Sequence, residues 1–321
     1  MKGRHHLIIQ STHLKYEFDV IRNVTIIQGD SATGKTTLAD MVREYSLNGT
    51  DTGISISCDI ACTVLEGKDW QDRLSRIHES IVLIDEGNRF VSSYDFADAI
   101  RHSDNYYLII TRESLMALPY SVTEIYGIHS SGRFNSLEPV YHELYRIYSD
   151  EIIEKSENAF QTVMVEDSNA GYEFWTGVFS DSKCITAKGR DNIFNLINSG
   201  EITGNTLIIA DGAAFGAQMA RIYDSISNRS DITLFLPESF EWVILDSDVL
   251  NDAEVRNILA SPEEHIEITE FFSWERYFTF LLVEKSNGTY LQYNKRSLNP
   301  SYLNSRIISK ILSSLPFEKK S

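Results

Sequence analysis

Eight residues near the amino terminus have the types and spacing to hold phosphate. The stretch Gly29-Asp30-Ser31-Ala32-Thr33-Gly34-Lys35-Thr36 satisfies the pattern G-x-x-x-x-G-K-[ST]. Wrapping an anion takes a run of backbone N–H groups in a tight loop, and glycine permits the dihedral angles that such a loop needs. The ammonium of Lys35 can neutralise charge at the end of a polyphosphate. The hydroxyl of Thr36 can ligate a divalent cation, and Thr37 beside it is a further nucleotide-binding candidate. A helix opening here turns its positive end toward the anion. The flanks supply that context: Val24-Thr25-Ile26-Ile27 is a short apolar strand running into the loop. After it, Leu38, Met41, Val42 and Tyr45 recur at helical spacing.

Two further runs end in polar residues. Ser80-Ile81-Val82-Leu83-Ile84 is continuously apolar after its serine and stops at Asp85-Glu86; Tyr106-Tyr107-Leu108-Ile109-Ile110 stops at Thr111-Arg112. With the glycine loop, these runs resemble the P-loop NTPases, and within them the ATPase division that carries an extra strand between its two motifs and a glutamate after the second. The resemblance implies that Asp85 takes the Walker B place and holds Mg²⁺ with Thr36. It implies that Glu86 polarises the attacking water, that Thr111 senses the terminal phosphate, and that Arg112 pairs with phosphate or acts on a neighbouring subunit. Arg133 is a weaker arginine candidate. Residues 54–58 are expected to supply the extra strand. No [NT]-K-x-D motif is present, so ATP is preferred to GTP, and no LSGGQ-like signature accompanies the loop.

Residues 161–250 are similar to a TOPRIM domain, the small α/β metal-binding fold of topoisomerases, primases and OLD-family nucleases. Val163-Met164-Val165-Glu166 ends a strand with the expected glutamate. Residues 187–193 look like the glycine-containing turn into the next helix. Leu207-Ile208-Ile209-Ala210-Asp211 matches the D-x-D strand, and Glu241 follows the last strand. The resemblance implies Mg²⁺ at Glu166, Asp211 and Glu241. The sequence departs from the family where Asp167 replaces a glycine and Ala213 replaces the second aspartate. Fewer carboxylates mean a weaker cation site. An ATPase joined to such a domain resembles phage-defence and mobile-element proteins, although the interval from Thr36 to Asp85 is too short for the long helical arm of the OLD type.

The elements that must position these residues follow from periodicity. Residues 7–27 read as three short strands, with a helix after Thr36. Helical stretches are expected near 70–78, 96–100, 171–179, 191–198 and 215–227, and strands at 183–186, 206–210 and 232–236. Alternation of strand and helix predicts an α/β fold: a P-loop-type parallel sheet over 1–155, a second α/β domain over 156–250 and a mainly helical extension over 251–321. There Trp274, Tyr277, Phe278, Leu281 and Leu282 recur at core-like helical spacing.

The 321 residues carry 29 basic and 46 acidic side chains, a net charge of −17. This excess gives no general attraction to nucleic acid or anionic membrane. Three cysteines, Cys58, Cys62 and Cys184, do not form a disulfide framework. No signal-peptide pattern or apolar run of ~20 residues is seen, so a cytoplasmic protein without membrane partners is expected. The function expected is an Mg²⁺-dependent ATP-binding protein, an ATPase whose nucleotide state controls the second domain, acting with a homo-oligomeric or other protein partner. The alternatives are an ATP-regulated, metal-dependent nuclease and a non-enzymatic ATP-binding adaptor.

Overall fold

The strands at 24–27, 80–84 and 106–110 are buried along their whole length. Runs without polar alternation are what a parallel sheet covered on both faces requires. The computed structural model describes residues 1–29, 34–130, 140–148, 160–200, 202 and 204–315. It is mixed α/β and divides into two units, Met1–Ile147 with Glu263–Phe272, and Tyr148–Pro262 with Ser273–Ser321.

In chain order the first unit contains β1 (His5–Gln10), β2 (Leu14–Val20), β3 (Val24–Ile27), α1 (Lys35–Asn48), β4 (Ser55–Ser57), β5 (Ala61–Val64), α2 (Trp70–Leu74), β6 (Ser80–Ile84), α3 (Tyr94–Arg101), β7 (Tyr106–Ile110), β8 (Ile125–Ser130) and β9 (Val140–Arg146). They build a nine-stranded sheet in the order β4-β1-β2-β9-β8-β3-β7-β6-β5. Pairing is parallel from β8 through β3, β7 and β6 to β5, and between β2 and β9. It is antiparallel between β1 and its neighbours β2 and β4, and between β8 and β9. One face is closed by α1, whose Leu38, Ala39, Met41 and Val42 join the core with Leu7, Ile9, Tyr16, Ile27 and Leu83. Trp70, Phe90, Phe96 and Tyr107 form an aromatic cluster, with ring centroids 5.1–5.9 Å apart.

One expectation about the sheet needs correction. Residues 54–58 do not stand between the glycine-loop strand and the Asp85 strand. They form β4 at the far edge, paired with β1, and the strand between β3 and β6 is β7. The burial of β4 explains why: it is three residues long and reads exposed, half-buried, exposed, which suits an edge and not a sheet centre.

The second unit contains β10 (Thr162–Val165), α4 (Ala170–Val178), β11 (Lys183–Thr186), α5 (Arg190–Asn198), β12 (Thr206–Ile209), α6 (Gly216–Ile226), β13 (Ile232–Phe235), α7 (Phe240–Asp246), α8 (Ala253–Ala260), α9 (Trp274–Ser286) and α10 (Ser305–Ser313). Its sheet is fully parallel, in the order β11-β10-β12-β13. Phe174, Trp175, Phe235 and Phe240 fill the space against one face. Residues 251–321 do not form a third body. The helices α8, α9 and α10 belong to the second unit, and Glu263–Phe272 belongs to the first. That short segment is held there by Arg4 on Glu263 (2.6 Å), by the Ile268 N–H on the Met1 carbonyl (3.1 Å) and by Asn23 on the Phe272 carbonyl (2.7 Å). Among the described residues no helix is long and apolar enough to cross a membrane.

Candidate functional site

Parallel pairing decides where the polar strand ends go. Ile27 pairs with Ile110, and Ile84 with Ile109, so β3, β7 and β6 all finish at one edge of the sheet. The glycine loop, Thr111-Arg112 and Asp85-Glu86 therefore leave the sheet side by side, with Thr111 in the middle. Outside the carboxyl ends of parallel strands is where open α/β sheets place ligands.

Gly29 and Gly34 bracket the loop with φ of 126° and 90°, in the region that favours glycine. Asp30, Ser31, Ala32 and Thr33 lie outside the described residues, as does Arg133. Lys35 opens α1, is only 5% exposed, and donates from Nζ to the Gly29 carbonyl at 2.7 Å. Its ammonium is thus turned back to the end of the strand that leads into the loop. The other end of the loop is anchored by Tyr16, whose hydroxyl donates to the Gly34 carbonyl at 2.8 Å. Burial pushes the Tyr16 hydroxyl up to about 12, which keeps it a donor. His142 pairs with Tyr16 across β2 and β9 and stacks on its ring at 4.5 Å, 9° from parallel. Neither residue carries a sequence signal: both sit on alternating strands far from the motif.

Thr36 is exposed at the start of α1 and Thr37 is half-buried. Asp85 is half-buried, and this burial raises its carboxyl above the ordinary aspartate range, against the opposing pull of the Glu86 N–H, which donates to its Oδ1 at 2.8 Å, and of the Arg43 charge. The Asn88 side-chain amide holds the Asp85 carbonyl at 2.9 Å. Glu86 points outward, 40% exposed, and accepts from Arg112 Nε at 2.8 Å. Thr111 is 6% exposed, and its hydroxyl accepts the Glu113 N–H at 3.0 Å. The structure thus brings Asp85, Glu86, Thr111 and Arg112 to the same sheet edge as Lys35 and Thr36.

The second unit repeats the arrangement with carboxylates. Glu166 follows β10, Asp211 follows β12 and Glu241 lies in the first turn of α7, after β13. These acids are engaged by the protein itself. Glu166 Oε2 accepts the Asp211 N–H at 3.1 Å, and Asp211 Oδ1 accepts the Phe240 N–H at 3.1 Å. Asp167, where a glycine was expected, accepts the N–H groups of Tyr172 (2.9 Å) and Asn169 (3.4 Å) at the start of α4. Three residues invisible to motif reading complete the cluster. Tyr293 donates to Glu241 at 2.9 Å; Lys295 lies 2.9 Å from Glu275 and 3.7 Å from Glu241. Burial raises Glu166 to about 7 and lifts Asp211 well above its usual range, reinforced for Asp211 by the carboxylates of Glu275 and Glu166. Burial also works against the Lys295 charge, yet Glu241 and Glu275 hold its pKa above the ordinary lysine range. Among the described residues, no group of three or more His, Cys, Asp or Glu side chains is arranged to hold a metal ion. The three cysteines are unpaired.

A scan against protein-family models finds no match, and a search of curated proteins finds no similar sequence.

Proposed function

We propose that the first unit is an ATP-binding site of the P-loop kind and hydrolyses ATP with Mg²⁺. The observation that carries this reading is the strand order. β7, and not the expected residues 54–58, stands between the glycine-loop strand β3 and the Asp85 strand β6, as an extra strand of that ATPase division would, and Thr111 follows it. The residues present fit the ligand. Two positive-φ glycines bracket a loop closed by a buried lysine, and one hydroxyl and one carboxylate leave the same edge. The backbone N–H groups at the start of α1 and the Lys35 ammonium would hold the phosphates. Thr36 and Asp85 would hold Mg²⁺, which supplies charge neutralisation at the phosphates when bound. Glu86 would be the group to orient a water. The second unit, joined to the first by the same chain at three points, is the receiver of the nucleotide state.

The test is equilibrium binding and turnover of ATP with Mg²⁺. Lys35→Ala should lose binding. Glu86→Gln should bind as the wild type does while turnover falls roughly 10²- to 10⁴-fold, the usual scale for a lost general base. Normal binding by Lys35→Ala would remove the site assignment altogether.

The Arg112–Glu86 pair favours a second reading, an ATP-binding adaptor that turns over slowly or not at all. A carboxylate held by a guanidinium at 2.8 Å is not disposed to take a proton from water. If the pair restrains hydrolysis, Arg112→Ala raises the rate. If Arg112 instead serves the terminal phosphate, the same change lowers it.

A further inference from the structure

The acidic centre of the second unit contains a cation of its own. Lys295 reaches it from the segment after α9, and its backbone is fixed there: its carbonyl accepts the Ala170 N–H at 3.1 Å, and the nearby Leu298 N–H donates to Glu173 at 2.7 Å. Its ammonium lies between Glu275 (2.9 Å) and the buried Glu241 (3.7 Å) and touches the Thr279 hydroxyl at 3.5 Å. One oxygen of each strand-end carboxylate accepts from a protein donor: Tyr293 on Glu241, the Phe240 N–H on Asp211, and the Asp211 N–H on Glu166. Ala213 stands where the TOPRIM resemblance implies a further aspartate. A divalent cation needs several converging oxygens; among the described residues no such group is arranged to hold one, and the Lys295 ammonium beside Glu241 and Glu275 sets a like charge against it.

We propose that the Lys295 ammonium occupies the role of the metal in this centre, so that the second unit is held together by a tethered cation, binds no divalent metal there and does not cleave nucleic acid. A fixed ammonium can balance the carboxylates electrostatically. It offers no open coordination position to a substrate phosphate or water, which metal-assisted hydrolysis requires. The tethered charge therefore gives the centre cohesion without chemistry, and this holds whether or not the first unit binds ATP.

The experiment is Mn²⁺ binding to the full chain without nucleotide, followed by electron paramagnetic resonance. The proteins are wild type, Asp211→Asn, Lys295→Met and the double variant. Asn at 211 keeps an oxygen for the Phe240 N–H. Wild type and Asp211→Asn should bind the same amount of Mn²⁺. Lys295→Met should gain one site, lost again in the double variant. Its melting temperature should fall by roughly 4–8 °C, a figure reduced for the partial exposure of Lys295, and Mn²⁺ should restore part of that fall. Lys295→Arg should melt as the wild type does. The proposal is overturned if the wild type binds one Mn²⁺ more than Asp211→Asn, if Lys295→Met gains no site, or if Mg²⁺-dependent nuclease activity disappears with Asp211→Asn. Should Lys295→Met fail to fold, the comparison of wild type with Asp211→Asn decides alone.

Discussion

Gly34 is the residue at which loop geometry and packing can be tested together. It has φ 90° and ψ 4° as the cap of α1. An added Cβ would lie 2.8 Å from Tyr16 Oη and 3.0 Å from His142 Cε1. Two costs follow for Gly34→Ala. The left-handed backbone costs about 1–2 kcal/mol for a residue with a Cβ. Pushing a methyl against two stacked, buried rings costs about 1–3 kcal/mol. Their sum is about 2–5 kcal/mol of destabilisation in the first unit. Hydrogen exchange of peptides from β2, β9 and α1 across a urea series reads that unit without interference from the second. The two costs are separable. Tyr16→Phe in the Gly34→Ala background removes the nearest atom, Oη, and should recover about 1 kcal/mol, whereas Tyr16→Phe in the wild type should lose about 1 kcal/mol with the hydrogen bond to the Gly34 carbonyl. A change of sign between the two backgrounds is the signature. A Gly34→Ala protein within about 0.5 kcal/mol of wild type, the usual scale of an inconsequential surface change, would refute the reasoning. So would a Tyr16→Phe effect of the same sign in both.

His142 is buried against Tyr16, and this burial lowers its pKa below the ordinary histidine value of 6.5. A depressed folded-state pKa gives stability that is complete above 6.5 and is lost as pH falls through the folded value. The urea midpoint of the first unit should therefore drop between pH 7.5 and pH 5.5, and drop less in His142→Phe, which keeps a ring on Tyr16. In the second unit, a Cβ on Gly212 would meet the backbone oxygens of Leu236 and Pro237 at 2.5 and 2.9 Å. Gly212→Ala should then cost roughly 2–3 kcal/mol, measured as an earlier unfolding of peptides from β12 and β13. An unchanged midpoint would mean that the two strand ends do not approach as closely as described.

How much of this was legible in the residues depended on whether the signal was local. The central strands of both sheets were, because burial on two faces leaves an unbroken apolar run, as in Ile81–Ile84 and Leu207–Ile209. The strand β5 was not: Ala61-Cys62-Thr63-Val64 is short, and only Val64 is fully buried. The place of residues 54–58 was not legible either. A strand's own residues report how buried it is, but its neighbours are chosen by the path of the chain. Lys295 and Tyr293 had no spacing to betray them, since they reach Glu241 across more than 50 residues and act through the tertiary fold. The same holds for Tyr16 and His142 beneath the glycine loop.

The two centres differ most in how their carboxylates are neutralised, and that difference bears on what each can do. Glu86 and Arg112 are 40% and 52% exposed. An ion pair in such high-dielectric surroundings is worth about 0–1 kcal/mol, so on the proposed reading an arriving polyphosphate would compete for the guanidinium and release Glu86 for water. Glu241 is 2% exposed, and its partners Lys295 and Tyr293 hold it from a folded segment. Removing the ammonium leaves Glu241 with the Tyr293 hydroxyl alone, at a cost below that of a fully buried pair because Lys295 is 39% exposed. A ligand that had to displace Lys295 would meet that cost on arrival. Strand-end acids therefore take opposite parts in one chain: those of the first unit stand behind a weak, exchangeable cation, and those of the second behind one that does not leave.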